Sequence, residues 1–363
     1  MYSGNTPSRL NKEHFNGAIN WISSGELKEH YIADTKEKIS DEAAKTLKML
    51  PIGTFVIAIY GLEADGVRGT GSITKTEATI SQACMAFISK GKVQNEFLYS
   101  WYKKHGNVIG IRYAQGTKQQ NLSYDIIEKF KIAYPTFQEQ EKLNKFIALL
   151  DERIATQNKI IEDLKKLKSA IIEIEYTPNT KTTSHIGNVI EQISKRNKNN
   201  AIQNVLSVSN RQGFIKQSDQ FENRNVASED TSNYKIVEKN DFAFNPARIN
   251  VGSIARLTTF EKGIISPMYI CFRTQENVAP EYIDFFFESK HFYCEIQKRL
   301  EGSVRQCLSF EGLCNIPFSL PSLEMQQRIG KRLFTLGQKI KTETDLLELL
   351  NKQKQYLLRQ MFI

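Results

Sequence analysis

The sequence predicts an α+β fold in which two β-rich domains are joined by two long antiparallel coiled-coil helices, as a pseudo-two-fold internal repeat. Residues 116–171 match residues 302–357 without a gap after a shift of 186 positions. Short apolar or alternating runs, separated by Gly, Asn and Lys, precede each match, which is typical of β-strands joined by turns. Each match then continues into a heptad pattern, which indicates a coiled-coil helix.

The repeat begins with two related phrases, "QGTKQQNLSYDII" at 115–127 and "EGSVRQCLSFEGL" at 301–313. They share Gly, Gln, Leu and Ser at equivalent positions, and Ser123 and Ser309 are predicted to cap a short helical turn. Upstream, "WISSGEL" at 21–27 matches "SVSNRQG" at 207–213, with gaps that fall between apolar runs. Surface loops tolerate such length changes, so a duplicated domain followed by a duplicated helix is expected.

The chain has 363 residues, more than one hydrophobic core usually organises. The predicted segments are a first β-rich domain at 1–135, a first long helix at 136–175, a linker at 176–183, a second β-rich domain at 184–320 and a second long helix at 321–361.

The heptad seam predicts which helix residues face a partner helix. Its apolar positions are Ile147, Leu150, Ile154, Ile161 and Leu164 in the first copy, and Leu333, Leu336, Ile340, Leu347 and Leu350 in the second. Both copies place a Lys at one a position and a polar residue at one d position, and such interruptions usually set the register. An alternative is that each helix packs on its own domain.

The net charge is +9, with a pI near 9.1, which favours an anionic partner such as nucleic acid. No run of about 18 apolar residues appears, so no membrane association is expected. Five cysteines without CxxC spacing and five scattered histidines predict neither a disulfide framework nor a metal site, which fits a reducing cytoplasm.

Specific DNA recognition needs polar and basic side chains on loops that reach base edges. Loop residues of this kind recur at equivalent places in the two copies, and each of them has the alternative interpretation of a solvated surface side chain. The candidates are Ser23, Ser24, Lys28, Tyr60, Arg68, Lys118, Gln119 and Gln120 in the first copy, and Asn210, Arg211, Gln212, Asn245, Arg248, Asn250, Arg256, Arg305 and Gln306 in the second.

Motifs that carry catalysis do not occur in the sequence. There is no G-x-x-x-x-G-K-[ST] phosphate loop, and "GVRGTGSI" at 66–73 does not match the dinucleotide fingerprint. Adenine methyltransferases share an Asn-Pro-Pro-aromatic motif. The nearest stretch here, "NPAR" at 245–248, lacks the second Pro and the aromatic residue. The chain is therefore predicted to have no catalytic residues of its own.

Several quoted stretches resemble one known family. "NTPSRL", "LPIGTFVIAIYG", "QACMAF" and "AQGTKQQNLS", followed by "EQEKL" and "FIALLDERI", are similar to the specificity subunits of type I restriction-modification systems. The first copy departs from the pattern, because it begins at "SGNTPSRL" without the strand and helix expected from "TTSHIGNVIEQ" at 182–192 of the second copy. We therefore expect a first core that is either incomplete or completed by another segment.

The resemblance implies a non-catalytic subunit whose two recognition domains each read half of a bipartite double-stranded DNA site. It implies spacer helices that fix the gap and dock two methylation subunits, which methylate adenine, with two motor-nuclease subunits completing the restriction enzyme. S-adenosylmethionine, ATP and Mg are expected on those partners and none on this chain. The alternatives are a scaffold or adaptor without a DNA role, and a self-contained endonuclease or methyltransferase.

Overall fold

The computed structural model of the protein describes residues 1–64, 66–177, 184–210, 212–220, 230–302 and 306–362. The chain forms two compact units, and the first (unit 1) comprises Met1–Gln157 and Leu346–Ile363. The second (unit 2) comprises Asn158–Asp345. The predicted α+β class and internal repeat are confirmed, because both units combine mixed sheets with helices in corresponding order. The predicted domain boundaries stay a prediction, since both units include parts of both long helices.

Unit 1 is built on two sheets. Its strands are β1 (Tyr2–Ser3), β2 (Ile19–Ile22), β3 (Tyr31–Ile32), β4 (Lys38–Ile39), β5 (Phe55–Ala58), β6 (Gly71–Thr74), β7 (Ala78–Ile80) and β8 (Cys84–Phe87). One sheet has the order β1-β8-β5-β6-β3 and the other β4-β2-β7. Its helices are α1 (Asp41–Lys45), α2 (Asn95–Tyr113), α3 (Tyr124–Ile127) and the start of α4 (Phe137–Tyr176), with 3-10 turns at Lys12–Phe15 and Ser24–Glu26.

Unit 2 repeats this plan. Its strands are β9 (Ser184–His185), β10 (Ile190–Ile193), β11 (Val205–Ser209), β12 (Gly213–Lys216), β13 (Lys235–Glu238), β14 (Phe242–Phe244), β15 (Ile254–Arg256), β16 (Lys262–Ile265), β17 (Ile270–Thr274) and β18 (Pro317–Phe318). The sheets are β10-β17-β14-β15, β12-β11-β16-β13 and β18-β9. The helices are α5 (Gln217–Gln220), α6 (Pro280–Phe286), α7 (Lys290–Gln297), α8 (Phe310–Cys314) and α9 (Leu323–Met361), with 3-10 turns at Ile186–Asn188 and Ile249–Val251.

Strand pairing fixes which elements of the two units correspond. Phe55 pairs with Phe87 between β5 and β8, as Phe242 pairs with Phe272 between β14 and β17. The parallel pair β2–β7 likewise corresponds to the parallel pair β11–β16. In the described residues, β9 and the turn at Ile186–Asn188 have no counterpart in unit 1.

Each long helix begins beside a buried glutamine. Gln140 of α4 is fully buried; its Oε1 accepts from the Gln94 backbone N–H at 2.8 Å and its Nε2 donates to the Lys92 carbonyl at 2.9 Å. Gln326 of α9 repeats the first contact, accepting from the Ala279 N–H at 2.9 Å. A buried polar side chain is stable only when it is hydrogen-bonded, so these glutamines join the helix starts to the residues just before α2 and α6.

The ends of the long helices are held by aromatic rings. The Tyr176 ring lies 4.8 Å from that of Tyr282, and its hydroxyl donates to the Tyr282 carbonyl at 2.6 Å. Phe362, which lies 186 positions further along, is buried with its ring 5.1 Å from that of Phe97. Each unit therefore packs against the start of one long helix and the end of the other.

Burial along the helices follows the predicted seam. Ile147, Ile161, Leu333 and Leu350 are buried, and the other predicted apolar seam residues, Leu150, Ile154, Leu164, Leu336, Ile340 and Leu347, are half-buried. In unit 1, α4 and α9 run in opposite directions, since Leu143 and Met361 line one apolar pocket and Asp151 pairs with Lys354. The helix ends also pack into the domain cores, as the alternative interpretation proposed.

The lysines that interrupt the seam are ion-paired. Lys354 pairs with Asp151 in unit 1, and the equivalent Lys168 pairs with Glu288 at 2.6 Å in unit 2. The two lysines occupy the same heptad position but select different acidic partners. Helices α4 and α9 are the longest in the described part of the chain, and no described helix is long and apolar enough to cross a membrane.

Candidate DNA interface

In unit 1, a loop and a hairpin carry most of the candidate residues. The loop connects β5 to β6 over residues 59–70, and the hairpin is closed by the bridge between Gln115 and Asn121. The Leu122 N–H donates to the Ile59 carbonyl at 2.8 Å, and the Leu62 N–H donates to the Gln120 carbonyl at 3.0 Å. These backbone bonds hold the hairpin against the loop.

Arg68 and Gln120 are brought into direct contact. The Arg68 Nη2 donates to the Gln120 Oε1 at 2.7 Å, and the arginine stem lies against Gly110 of α2, where a side chain would collide with it. The Gln120 N–H donates to the Glu63 carboxylate at 2.8 Å. That bond lowers the pKa of Glu63, and the nearby Arg68 charge lowers it further. Arg68 is thus a positioned, half-buried cation.

The remaining unit 1 candidates lie in two places. Lys118 and Gln119 are exposed at the hairpin tip, and Tyr60 is exposed in the adjoining loop. Ser23 forms a capping box, in which its hydroxyl donates to the Glu26 carboxylate at 2.7 Å, so that hydroxyl stabilises its own turn. Ser24 is half-buried and Lys28 is exposed beside it.

Unit 2 repeats this arrangement. The loop 245–253 connects β14 to β15, and the Leu308 N–H donates to the Pro246 carbonyl at 3.0 Å. An antiparallel bridge joins Glu301 to Cys307, just before Leu308. The loop and the hairpin that carry the candidates are therefore equivalent elements in the two units.

Asn245 shapes the unit 2 loop. It is buried, and its Oδ1 accepts from the Ala247 N–H at 3.1 Å while its own N–H donates to the Ser253 carbonyl at 3.0 Å. Arg248 is exposed and Asn250 half-buried on this loop. Asn210 adjoins it, because a Cβ at Gly252 would lie 3.9 Å from the Asn210 Cβ. Gln212 and Gln306 are exposed, and Arg211 and Arg305 lie outside the described residues.

Arg256 has a structural role that the sequence did not predict. Its Nε donates to the Asp284 carboxylate at 3.1 Å, and its Nη1 donates to Glu281 at 2.5 Å and to Asn240 at 3.0 Å. Only 8% of its side chain is exposed. Burial raises the pKa of Asp284, which Arg256 opposes. This network fastens β15 to α6, so we leave Arg256 out of the surface proposed below.

A basic groove is the feature that the residue-level reasoning missed. An open groove of about 850 Å³ is lined by residues 194–199, Ala201, Ile202, Ile236 and Lys262. Lys195 and Lys198 are exposed on it, and Arg196 donates to the Asn233 side chain at 3.0 Å. The signal was present in the sequence as "SKRNKNN", which has three basic residues within five positions.

The described residues contain no group of three or more His, Cys, Asp or Glu side chains placed to hold a metal ion. The loops and the groove present hydrogen-bond donors and positive charges at the surface. Each unit therefore carries an equivalent loop-and-hairpin scaffold with its own set of polar side chains.

Comparison with known proteins identifies the family to which the chain belongs. The model of the "type I restriction modification DNA specificity domain" matches residues 2–166 and again residues 178–352. The chain therefore belongs to this family and contains two specificity domains.

Curated relatives and solved structures agree with the family. The chain is 28% identical over 170 residues to the type I restriction enzyme MjaIX specificity subunit of Methanocaldococcus jannaschii, covering 45% of the chain and 38% of that protein. It is 23% identical over 297 residues to the putative MjaX specificity subunit of the same organism, covering 74% and 66%. The chain thus spans less than two thirds of each relative's length.

Two solved structures share the fold. The type I restriction-modification S subunit from M. genitalium has a TM-score of 0.58 at 15% identity, covering 100% of this chain and 93% of that one. The HsdS subunit from Thermoanaerobacter tengcongensis has a TM-score of 0.51 at 14% identity, covering 95% and 90%.

Proposed function

We propose that this chain is the DNA-reading subunit of a type I restriction-modification complex, and that each unit binds one half of a bipartite double-stranded target. The observation that carries the proposal is the pair of equivalent loop-and-hairpin elements with different side chains. Unit 1 presents Arg68, Gln120 and Lys118 where unit 2 presents Arg248 and Asn250. A common scaffold with different donors is what two readers of different half-sites require.

Contacts to the DNA backbone would come from the basic groove. Phosphate contacts position a protein on the duplex without reading sequence, and exposed lysines and arginines supply them. Lys195 and Lys198 fit this role, and the net charge of +9 supports it. Binding should therefore weaken steeply with salt, because each neutralised phosphate releases counterions.

Methylation subunits would dock on the long helices, which we also propose set the gap between half-sites. Large apolar side chains on these helices are exposed to 42–76%, namely Phe146, Leu149, Leu167, Ile174, Phe334, Leu349 and Tyr356. Where such residues form a contiguous patch, they would mark a protein–protein contact site. On this proposal, S-adenosylmethionine, ATP and Mg bind to the methylation and motor-nuclease subunits, and the chemistry takes place there.

The test is an Arg248→Ala variant assembled with the methylation subunits, after the target has been mapped by sequencing methylated adenines. A lost arginine–base contact should cost about 1–3 kcal/mol on DNA that carries the second half-site. Binding to random duplex should change little. The control is Lys239→Ala, which removes an exposed lysine paired with Glu261 and should leave both affinities unchanged.

Equal losses on target and random DNA would make Arg248 a backbone contact. A complex that binds no duplex at low salt would favour the scaffold alternative instead.

A further inference from the structure

Three polar side chains of the unit 1 loop and hairpin form one hydrogen-bonded group. The Gln120 backbone N–H donates to the Glu63 carboxylate at 2.8 Å, and the Gln120 Oε1 accepts from the Arg68 Nη2 at 2.7 Å. We propose that Arg68 and Glu63 together read one G·C base pair of the half-site that unit 1 binds, and that Gln120 is the positioning residue that holds both. This inference rests on the proposed DNA-reading function, and it adds Glu63 to the candidate residues.

Arg68 is held by α2 as well as by Gln120. A Cβ at Gly110 would lie 2.5 Å from the Arg68 Cγ and 2.9 Å from its Cδ, so the arginine stem fills the space beside that glycine. The loop backbone also lies close to α2, because a Cβ at Gly69 would be 2.7 Å from the Asn107 nitrogen. The Arg68 Nε is buried and has no hydrogen-bond partner among the described residues. The donors left for a ligand are therefore those of the two Nη atoms.

The remaining Arg68 donors and the Glu63 carboxylate match the major-groove edge of a G·C pair. Guanine presents two acceptors there, N7 and O6, and an arginine binds both. The paired cytosine presents its N4 amine directly beside O6, and a carboxylate, which only accepts, binds this amine. An A·T pair places its donor between two acceptors, so an arginine on it loses one of its two bonds.

The position of Glu63 favours a base over a phosphate as the partner of Arg68. Glu63 is exposed, and the hydrogen bond from the Gln120 N–H lowers its pKa, which the charge of Arg68 lowers further. The carboxylate is therefore ionised at neutral pH. An ionised carboxylate beside Arg68 repels the phosphate backbone, whereas it attracts the amine of a cytosine.

The unit 2 loop differs from the unit 1 loop at this point. The shared "GSI" at 71–73 and 252–254 aligns Arg68 with Ile249, which is buried. The loop itself is shorter in unit 2. The same scaffold therefore carries this arginine and carboxylate in unit 1 and an apolar side chain in unit 2, as two different half-sites require.

The experiment uses the full chain assembled with the methylation subunits, after the target has been mapped by sequencing methylated adenines. Each G·C pair of the target is replaced in turn by A·T, and dissociation constants are measured for every duplex. At one G·C pair of one half-site, the wild type should prefer G·C by about 5- to 150-fold. Arg68→Ala and the isosteric Glu63→Gln should both lower this ratio toward one at the same pair and leave the other ratios unchanged.

The positioning role of Gln120 is tested with the same ratio. Gln120→Leu should lower it as Arg68→Ala does, because the acceptor for the Arg68 Nη2 is lost. Gln120→Glu keeps an acceptor and should keep the ratio, although its added charge weakens binding to every duplex. Arg112→Ala is the matched control, because it removes an exposed arginine of α2 and should keep every ratio. Each ratio compares two duplexes with one protein, so a partial loss of folded protein does not change it.

Three results would overturn this inference while leaving the proposed function intact. The first is an Arg68→Ala complex that loses affinity equally for all duplexes and keeps every ratio. The second is a pair of variants, Arg68→Ala and Glu63→Gln, that alter different base pairs. The third is a Gln120→Leu complex with wild-type ratios, which would remove its positioning role. A wild-type complex without any sequence-specific binding would overturn the proposed function and this inference together.

Discussion

A buried glutamine near the start of each long helix is common to the two copies of the repeat. Glu139 and Gln140 are adjacent in the sequence but act differently. Glu139 accepts hydrogen bonds from Thr136 in a capping box, at 2.7 Å from the hydroxyl, whereas Gln140 turns inward to the sheet domain. At the second copy Met325 replaces the glutamate, and Gln326 keeps the inward contact. The two copies therefore share the buried glutamine that attaches the long helix to its unit, but they do not share the glutamate.

Replacing Gln326 with Leu should destabilise unit 2. Leucine has a similar size but leaves the buried Ala279 N–H without its acceptor, which costs about 1–3 kcal/mol. Chemical denaturation followed by circular dichroism measures the loss. Gln119→Leu, at an exposed hairpin position, is the control and should change stability by less than about 0.5 kcal/mol. If the Gln326→Leu protein were as stable as that control, the hydrogen bond from the Ala279 N–H to Gln326 would not stabilise unit 2.

The C-terminal ends of the two long helices are held by buried aromatic residues at equivalent positions, Tyr176 and Phe362. Phe362→Ala should cost about 3–5 kcal/mol, because a fully buried aromatic ring is lost from the unit 1 core. Tyr176→Phe removes only the hydroxyl bond to Tyr282 and should cost about 0.5–1.5 kcal/mol. Thermal unfolding of both variants checks the ranking, and a reversed order would mean that the rings are not the main anchors.

The candidate hairpins depend on a glycine with positive φ. Gly116 has a φ of +111°, and the equivalent Gly302 has a φ of +106°. A Cβ at Gly116 would also collide with the Gln119 carbonyl oxygen. Gly116→Ala should therefore displace the hairpin and lower affinity for target DNA by about tenfold or more, on the order of 1–3 kcal/mol.

Gly91→Ala is the matched control for that variant. Gly91 has φ +92° but open space at its Cβ position, so alanine there meets the same backbone cost, about 1–2 kcal/mol, without a collision. DNA affinity should be unchanged in Gly91→Ala. Equal affinities for the two variants would show that the hairpin takes no part in DNA recognition.

For the whole molecule, the repeat made the fold class predictable from the sequence. The match between residues 116–171 and 302–357 identified the common architecture, and the heptad spacing predicted the two long helices. Both signals are periodic, so they survive without knowledge of tertiary contacts.

The candidate site was less predictable. Arg68 and Arg256 look alike in the sequence, yet Arg256 is 8% exposed in an ion-pair network with Glu281 and Asp284, which lie some 25 residues away. Sequence spacing does not show which acidic side chains a fold brings to an arginine. The anchor between Phe362 and Phe97 was equally invisible, because its partners lie far apart in the chain.

We propose that the two units read two half-sites at a distance set by the helices. The most direct test inserts seven residues at equivalent positions of α4 and α9 and maps methylated adenines with the methylation partner. Seven helical residues add about 10.5 Å, or about three base pairs. We predict the same two half-sites, separated by a gap about three base pairs longer. Altered half-site sequences, or an unchanged gap, would contradict the proposal that the helices set this distance.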